Sequence, residues 1–416
     1  MVIDSKQYNG LCSCGKNHEM ATEFCLIESG CLKKVDAYME KYGLQGYCVA
    51  VYDENTYQAT ADRHPRVDAE VVLPAENLHA NEHGVALLLE KLPEQAKIIV
   101  AVGAGTIHDI SRYCAYTRNI NFVSCPTAAS VDGFCSSVAA MTWNGCKKTL
   151  TAVAPKIVVA DLDIIKNAPI RLARSGFGDM VGKYVSLTDW KIGNLLTGEF
   201  YCETIAEITR QATQNVLESA EGIISGDSKA YENLMYGLLM SGLAMQMMGN
   251  SRPASGAEHH ISHMIEMEPV GVGVHSIALH GEKVGVGTLL AIKEYRRIIS
   301  LPYVSFRDYE AFSADFIADN FGPQMLQSLL DENQKDSAAN ITAERLQENW
   351  ESICREIAKL PEVKDLKKIY GELGVKATLQ EIDVPEEFED VLLANSPMVR
   401  NRLTLMRIRK CIQTEG

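Results

Sequence analysis

The feature that most constrains this chain is a change of hydrophobic period partway along it. Between Gly46 and Asp161 short β-branched runs recur, GYCVAVYD, AEVVLP, KIIVAVG, NFVSCP and KIVVAD, separated by helical stretches such as EHGVALLLEKL and IHDISRYCAYT. A strand buried on both faces reads as a continuous apolar run, and a helix between successive runs supplies the crossover of a parallel sheet. Beyond Ala168 the strand signal fades into RLARSGFGDMVGKYVSLTDW, YCETIAEITRQATQNVLESAEGII, YENLMYGLLMSGLAMQMMG, EKVGVGTLLAIKEYRRII and AERLQENWESICREIAKL. The expectation is an α/β N-terminal domain with a Rossmann-like parallel sheet over 1–167, its first 45 residues an extension. An all-α C-terminal domain follows over 168–416.

With 416 residues, 46% of them hydrophobic, the chain has material for two cores. Against 54 acidic residues stand 40 basic ones, and the net charge of −14 repels a phosphate polymer, which argues against nucleic acid as a partner. The opening MVIDSKQYNG lacks the basic and apolar blocks of a secretory signal. The uncharged stretch from Asn233 to Ser251 is broken by Gly, Asn, Ser and Gln, so it reads as a core helix and not as a membrane span. Twelve cysteines without a regular framework suit reduced thiols in the cytoplasm.

Three segments carry the chemistry. The run KIIVAVGAG leads through Thr106, Ile107, His108 and Asp109 into a helix, placing Gly103 and Gly105 at a strand-to-helix turn. Main-chain amides at such a turn can approach a diphosphate, although a plain tight turn has the same spelling. Asp53 closes CVAVYD, where its carboxylate either meets an adenosine ribose or caps the next turn. After NFVSC, residues Pro126 to Ser137 gather small hydroxyl side chains, including Thr127, Ser130 and Ser136, around Asp132. Ligand orientation and ordinary turn chemistry both select such residues. The third segment is SRPASGAEHHISHMIEM, in which His259, His263 and Glu266 share one helix face at i, i+4 and i+7 while His260 points elsewhere. His280 opens HGEKVGVG, and Asp179 sits among small residues in GFGDMVGK. Two imidazoles and a carboxylate suit a divalent cation with positions left for substrate. On spacing alone His259 and His263 are both candidate ligands.

HHISHMIE resembles the H-x-x-x-H-x-x-E helix of the dehydroquinate synthase and glycerol dehydrogenase superfamily, and HGEKVGVG resembles its second metal-histidine segment. SRPASGAEHHISH, GFGDMVGKY and PTAASVDGFCSS together are similar to the bacterial, arabinose-operon branch of the sn-glycerol-1-phosphate dehydrogenases. The resemblance runs from about Val49 to Gly287 in the family's order. It implies a dehydroquinate synthase-like fold with the active site between a nucleotide domain and a helical one. It implies one divalent metal, zinc or nickel, on Asp179, His259 and His280, with substrate contacts at Asp132, Asp179 and His263, which are also the catalytic residues. Cofactor contacts fall on Asp53, Gly103, Gly105, Thr106, Ile107, His108, Asp109, Thr127, Ser130 and Ser136.

The implied reaction is reversible, NAD(P)H-dependent reduction of dihydroxyacetone phosphate to sn-glycerol 1-phosphate, a step of phospholipid metabolism carried out by a cytoplasmic homodimer or larger homo-oligomer. NAD(H) is preferred over NADP(H), because a carboxylate at the ribose disfavours a 2′-phosphate. Proton delivery falls either to a metal-bound water or to His263, since the unperturbed histidine pKa of ~6.5 suits either protonation state near neutrality. Lys183 and Arg252 either hold the substrate's phosphate or pair structurally; Lys183 is placed four residues from Asp179 on one helix face. The alternatives are a glycerol dehydrogenase acting on unphosphorylated polyols and a dehydroquinate synthase-like cyclase. Cys12, Cys14 and His18 in CSCGKNH form either an incomplete zinc set or a reduced β-hairpin turning at Gly15.

Overall fold

The computed structural model describes residues 1–144 and 146–414. The chain forms two compact units, Met1–Met180 with Gln211–Asn250, and Val181–Arg210 with Ser251–Gly416. This division differs from a single cut after residue 167, because a stretch of the helical half packs with the sheet.

Among the described residues, seven strands build the sheet of the first unit: β1 (Val2–Asp4), β2 (Phe24–Glu28), β3 (Cys48–Asp53), β4 (Ala69–Leu73), β5 (Ile98–Gly103), β6 (Asn121–Pro126) and β7 (Ile157–Asp161). Their spatial order is β1-β2-β7-β6-β5-β3-β4, parallel throughout except for β1 against β2. All five strands expected from the apolar runs are present. The other two come from the first 45 residues: β2 is the apolar run FCLIE, and three-residue β1 is too short to show a period. A further antiparallel pair, Val138–Trp143 with Cys146–Thr151, also lay outside the expectation, although the Asn144-Gly145 dipeptide between the two is a strong hairpin signal.

Side-chain alternation along each strand feeds two cores. Leu26, Ala50, Tyr52, Val100, Val102, Val123 and Val159 share one, and Val49, Val51, Val71, Ile99, Ala101 and Phe122 share the other. Both faces are therefore covered, as the parallel pattern requires. From β3 the chain runs outward to β4 and then returns to β5 on the opposite side of β3. The strand order thus reverses between β3 and β5, and open α/β sheets bind ligands beyond the carboxyl ends at such a point.

The helices that matter for function are α1 (Gly105–Arg118), α2 (Ile170–Val181), α3 (Lys183–Thr197), α4 (Glu203–Glu218), α5 (Ser228–Met248), α6 (Ala257–Met267) and α7 (His280–Ile299). In the first unit α2 lies against the loop after β6 so closely that a Cβ at Gly176 would sit 2.1 Å from the Ala129 carbonyl oxygen. Only glycine allows that approach. The expected helix through Arg171–Trp190 is divided at Gly182, so Lys183 begins α3 and does not share a helix with Asp179.

In the second unit, buried Asp189 on α3 gathers three other pieces of chain. It accepts hydrogen bonds from Ala257 N at 2.9 Å, Leu405 N at 2.9 Å and the Tyr295 hydroxyl at 2.8 Å. Burial pushes its carboxyl up to about 7 against those donors. Helices α6 and α7 pack at close range, because a Cβ at Gly287 would fall 2.6 Å from the Glu258 carbonyl oxygen. This unit is not wholly helical: Val304–Phe306 pairs antiparallel with Ile412–Thr414. Among the described residues no helix is long and apolar enough to cross a membrane.

Candidate active site

In the first unit the predicted nucleotide residues cluster at the switch point. Val51 is paired with Ala101, so two residues on Asp53 lies level with Gly103 at the carboxyl ends of neighbouring strands. Gly103 is in turn paired with Pro126. Gly105 and Thr106 open α1, whose first-turn amides have no earlier helical carbonyl to bond and whose dipole favours an anion. Asp53 caps the helix Glu54–Ala59, accepting from Thr56 N at 2.8 Å, which is the capping role its position offered.

Several of these side chains serve the turn from within. The buried His108 donates from Nδ1 to Ala104 O at 3.0 Å and accepts the Ser124 hydroxyl at Nε2, 2.8 Å away. Burial, with the Arg112 guanidinium nearby, pushes its pKa down to about 3. Its imidazole is thus a neutral packing pin, and any contact from this position to a dinucleotide falls to the main chain. Ile107 is in the core, and Asp109 pairs with Arg112 at 3.8 Å. Arg112 itself, which the sequence did not single out, is buried and donates to the carbonyls of Ser136 (2.7 Å), Val138 (3.1 Å) and Phe134 (3.3 Å). It holds the far end of the hydroxyl-rich loop. The Ser136 hydroxyl donates to Val138 O at 3.0 Å, and Thr127 N donates to Gly103 O at 3.0 Å.

The same loop is tied to helices of its own unit. Asp132 N donates to the Asp179 carboxylate at 3.0 Å, the Ser241 hydroxyl donates to the Asp132 carboxylate at 2.8 Å, and the Ser175 hydroxyl donates to Ser130 O at 3.2 Å. Asp132 and Asp179, two of the predicted substrate and catalytic residues, are therefore adjacent, with Asp179 fully buried.

In the second unit three imidazoles converge. The ring centroids of His259, His263 and His280 lie 5.3 to 5.9 Å apart, two rings from successive turns of α6 and one from the first residue of α7. Each ring has Nδ1 against a carboxylate: His259 on Glu258 at 2.7 Å, His280 on Glu266 at 2.8 Å, and His263 on Glu266 at 3.3 Å. A carboxylate at Nδ1 fixes the tautomer, so the lone pair sits on Nε2 and becomes more basic, the state in which imidazole ligates a metal. The donor set therefore fits a divalent cation. Donor atoms of His263, Glu266 and His280 also lie within 4.8 Å of one another, but Glu266 is engaged with both ring Nδ1 atoms. Sequence spacing had already put Glu266 on the right face. Glu258 was missed, because it directly precedes His259 and neighbouring side chains on a helix normally point apart.

Burial pushes His263 down to about 3, with Glu266 opposing the shift. At neutral pH the ring is uncharged, which corrects the expectation of a group titrating near neutrality. His260 points into the protein, is fully buried, and is likewise held neutral by burial. Lys183 is buried and donates to Ala254 O at 3.0 Å. The guanidinium of Arg252 pairs with Glu199 and donates to Leu403 O at 2.8 Å and Asp189 O at 3.2 Å. Those contacts make Arg252 a clamp on SRPASG, the structural alternative its sequence position allowed.

The fold is shared with iron-containing alcohol dehydrogenases, and the model of that family matches residues 26–169. The sulfoacetaldehyde reductase of Bifidobacterium kashiwanohense, solved with NAD+, shares the fold at a TM-score of 0.62 and 14% identity, covering 95% of this chain and 97% of that one. Over 414 residues the chain is 32% identical to the glycerol-1-phosphate dehydrogenase [NAD(P)+] of Bacillus licheniformis, covering 97% of this chain and 92% of the relative. The protein of the same name in Halalkalibacterium halodurans is 30% identical over 417 residues, covering 98% and 97%. The chain belongs to the glycerol-1-phosphate dehydrogenase family, a branch of the NAD(P)-dependent alcohol dehydrogenases.

Proposed function

We propose that this enzyme reversibly reduces dihydroxyacetone phosphate to sn-glycerol 1-phosphate with NAD(P)H, using one divalent cation held by Asp179, His259 and His280. The observation that carries the reading is the pair of rings His259 and His280, each oriented through Nδ1 by its own buried or half-buried carboxylate. When bound, the cation supplies Lewis-acid polarisation of the substrate's C2 oxygen and the nicotinamide supplies the hydride equivalent.

The chain's own groups do the rest. Glu258 and Glu266 hold the ligating rings in one tautomer. His263, uncharged with Nδ1 on Glu266, offers the Nε2 lone pair to a substrate hydroxyl as a hydrogen-bond acceptor. Asp132, fixed by Ser241 and bonded through its amide to Asp179, orients the substrate hydroxyls. Lys183 provides cationic charge beside the SRPASG segment for the phosphate, while Arg252 keeps that segment in shape. In the first unit Gly103, Gly105 and Thr106 offer main chain to the diphosphate, and Thr127, Ser130 and Ser136 line or brace the adjoining loop. The carboxylate of Asp53 at the end of β3 favours NAD(H) over NADP(H). Imidazole and carboxylate donors suit zinc or nickel. Cysteine thiols, as in Cys25, Cys48 and Cys125, accord with a cytoplasmic enzyme, which the reading makes a homo-oligomer.

The test is product analysis with NADH and dihydroxyacetone phosphate. The glycerol phosphate formed is expected to resist a dehydrogenase specific for the sn-3 enantiomer, and chelator-stripped enzyme to regain activity with zinc or nickel. Equal turnover of unphosphorylated dihydroxyacetone would transfer the reading to a glycerol dehydrogenase. Phosphate release without net NADH consumption would transfer it to a cyclase.

A further inference from the structure

The segment CSCGKNH takes no part in the chemistry above. It folds as a small knuckle within the first unit. The short strands Gly10–Leu11 and Asn17–His18 pair antiparallel, Cys12 N donates to Lys16 O at 2.9 Å and Gly15 N donates to Cys12 O at 2.9 Å. Gly15 adopts φ +83°, a left-handed conformation that closes the turn. This geometry turns both cysteines of the C-x-C toward His18: donor atoms of Cys12, Cys14 and His18 all lie within 4.8 Å of one another. Cys14 Sγ and His18 Nε2 are 3.4 Å apart. Bond lengths of ~2.3 Å to sulfur and ~2.0 Å to nitrogen put neighbouring ligands of a tetrahedral zinc about 3.5 Å apart.

A second, independent observation concerns the imidazole. His18 is only 3% exposed, and its Nδ1 donates to Met247 O at 2.8 Å, in the last turn of α5. That bond leaves the lone pair on Nε2, the atom turned toward the Cys14 thiol. The arrangement repeats at the knuckle what carboxylates do for the active-site histidines, with a helix-terminal carbonyl as the orienting group.

We propose that Cys12, Cys14 and His18 hold a structural zinc ion, separate from the catalytic cation, with a fourth donor from water or another side chain. The site would fasten the N-terminal knuckle to the end of α5, where the Gln246 side chain already accepts from Ala21 N at 3.0 Å and Thr22 N at 3.1 Å. That end of α5 leads directly into SRPASG, so the metal would steady the point from which the histidine segment departs.

The test uses the full-length enzyme, with zinc itself as the probe. Titrating the wild type with an organomercurial in the presence of a chromogenic zinc chelator is expected to release one zinc per chain as the thiols react. Elemental analysis is expected to find one zinc equivalent fewer in C14S and in H18A than in wild type, while H280A and the buried-thiol control C31S keep the knuckle's zinc. Cobalt-substituted wild type should show a thiolate charge-transfer band that C14S weakens. Absence of mercurial-released zinc, unchanged zinc in C14S, or a Cys12–Cys14 disulfide in the native enzyme would overturn the proposal. If C14S and H18A fold poorly, the wild-type titration decides it.

Discussion

The two units build their sites from different parts of the chain. In the first, main chain and small hydroxyls gather at strand ends, positioned by groups such as His108 and Arg112 that are themselves buried. In the second, imidazoles on α6 and α7 converge, and carboxylates stand behind their Nδ1 atoms. A site made of backbone is insensitive to most side-chain exchanges at the turn but fragile to anything that moves the strand ends. A site made of side chains fails at single positions.

The sharpest way to break this contrast is at the ligands. Either H259A or H280A is expected to lose the catalytic metal in elemental analysis and to lower kcat/KM on the order of 10³-fold, with the circular dichroism spectrum retained. Activity within tenfold of wild type would remove the metal role. Next comes the orienting carboxylate: E266Q keeps the shape but alters the partner of two Nδ1 atoms. Metal affinity measured by competition with a chelator should then fall about 10- to 100-fold. A smaller effect is expected from G287A, whose methyl group must displace the Glu258 carbonyl and so part α6 from α7. Urea unfolding should show a loss of roughly 1–3 kcal/mol.

The last prediction concerns the first unit and pH. His108 is depressed to about 3 in the folded chain, against ~6.5 when unfolded. Between those values the unfolded state binds the extra proton, so the contribution of this group to stability is complete above about pH 6.5 and declines as pH falls toward 3. Thermal unfolding of H108Q should therefore show a shallower loss of stability over that range than wild type. Parallel curves would mean the imidazole is not the titrating group.

How much of this was legible in sequence follows the same division. Strands buried on both faces announce themselves as apolar runs, so β3 to β7 were readable, whereas three-residue β1 has no period to read. His259, His263 and Glu266 were readable because an α-helix converts spacing directly into a shared face. Their partner Glu258 was not, since adjacency in sequence normally points two helical side chains apart; here Glu258 also caps its own helix end, accepting from Gly256 N at 2.7 Å. The pKa of His263 was illegible for a different reason: burial depends on what the whole fold lays over a side chain. Arg252 shows the same limit, because the Glu199 that neutralises it and the Leu403 carbonyl it bonds lie far away in the chain.

The absent side chain at Gly176 has a consequence for anyone redesigning this enzyme. Because α2 rests directly on the Ala129 carbonyl while its Asp179 accepts the Asp132 amide, the loop and that helix behave as one casting. Moving the loop without that helix would leave the Asp132 amide without the carboxylate that accepts it. The smallest portable fragment is therefore the loop together with the helix beneath it.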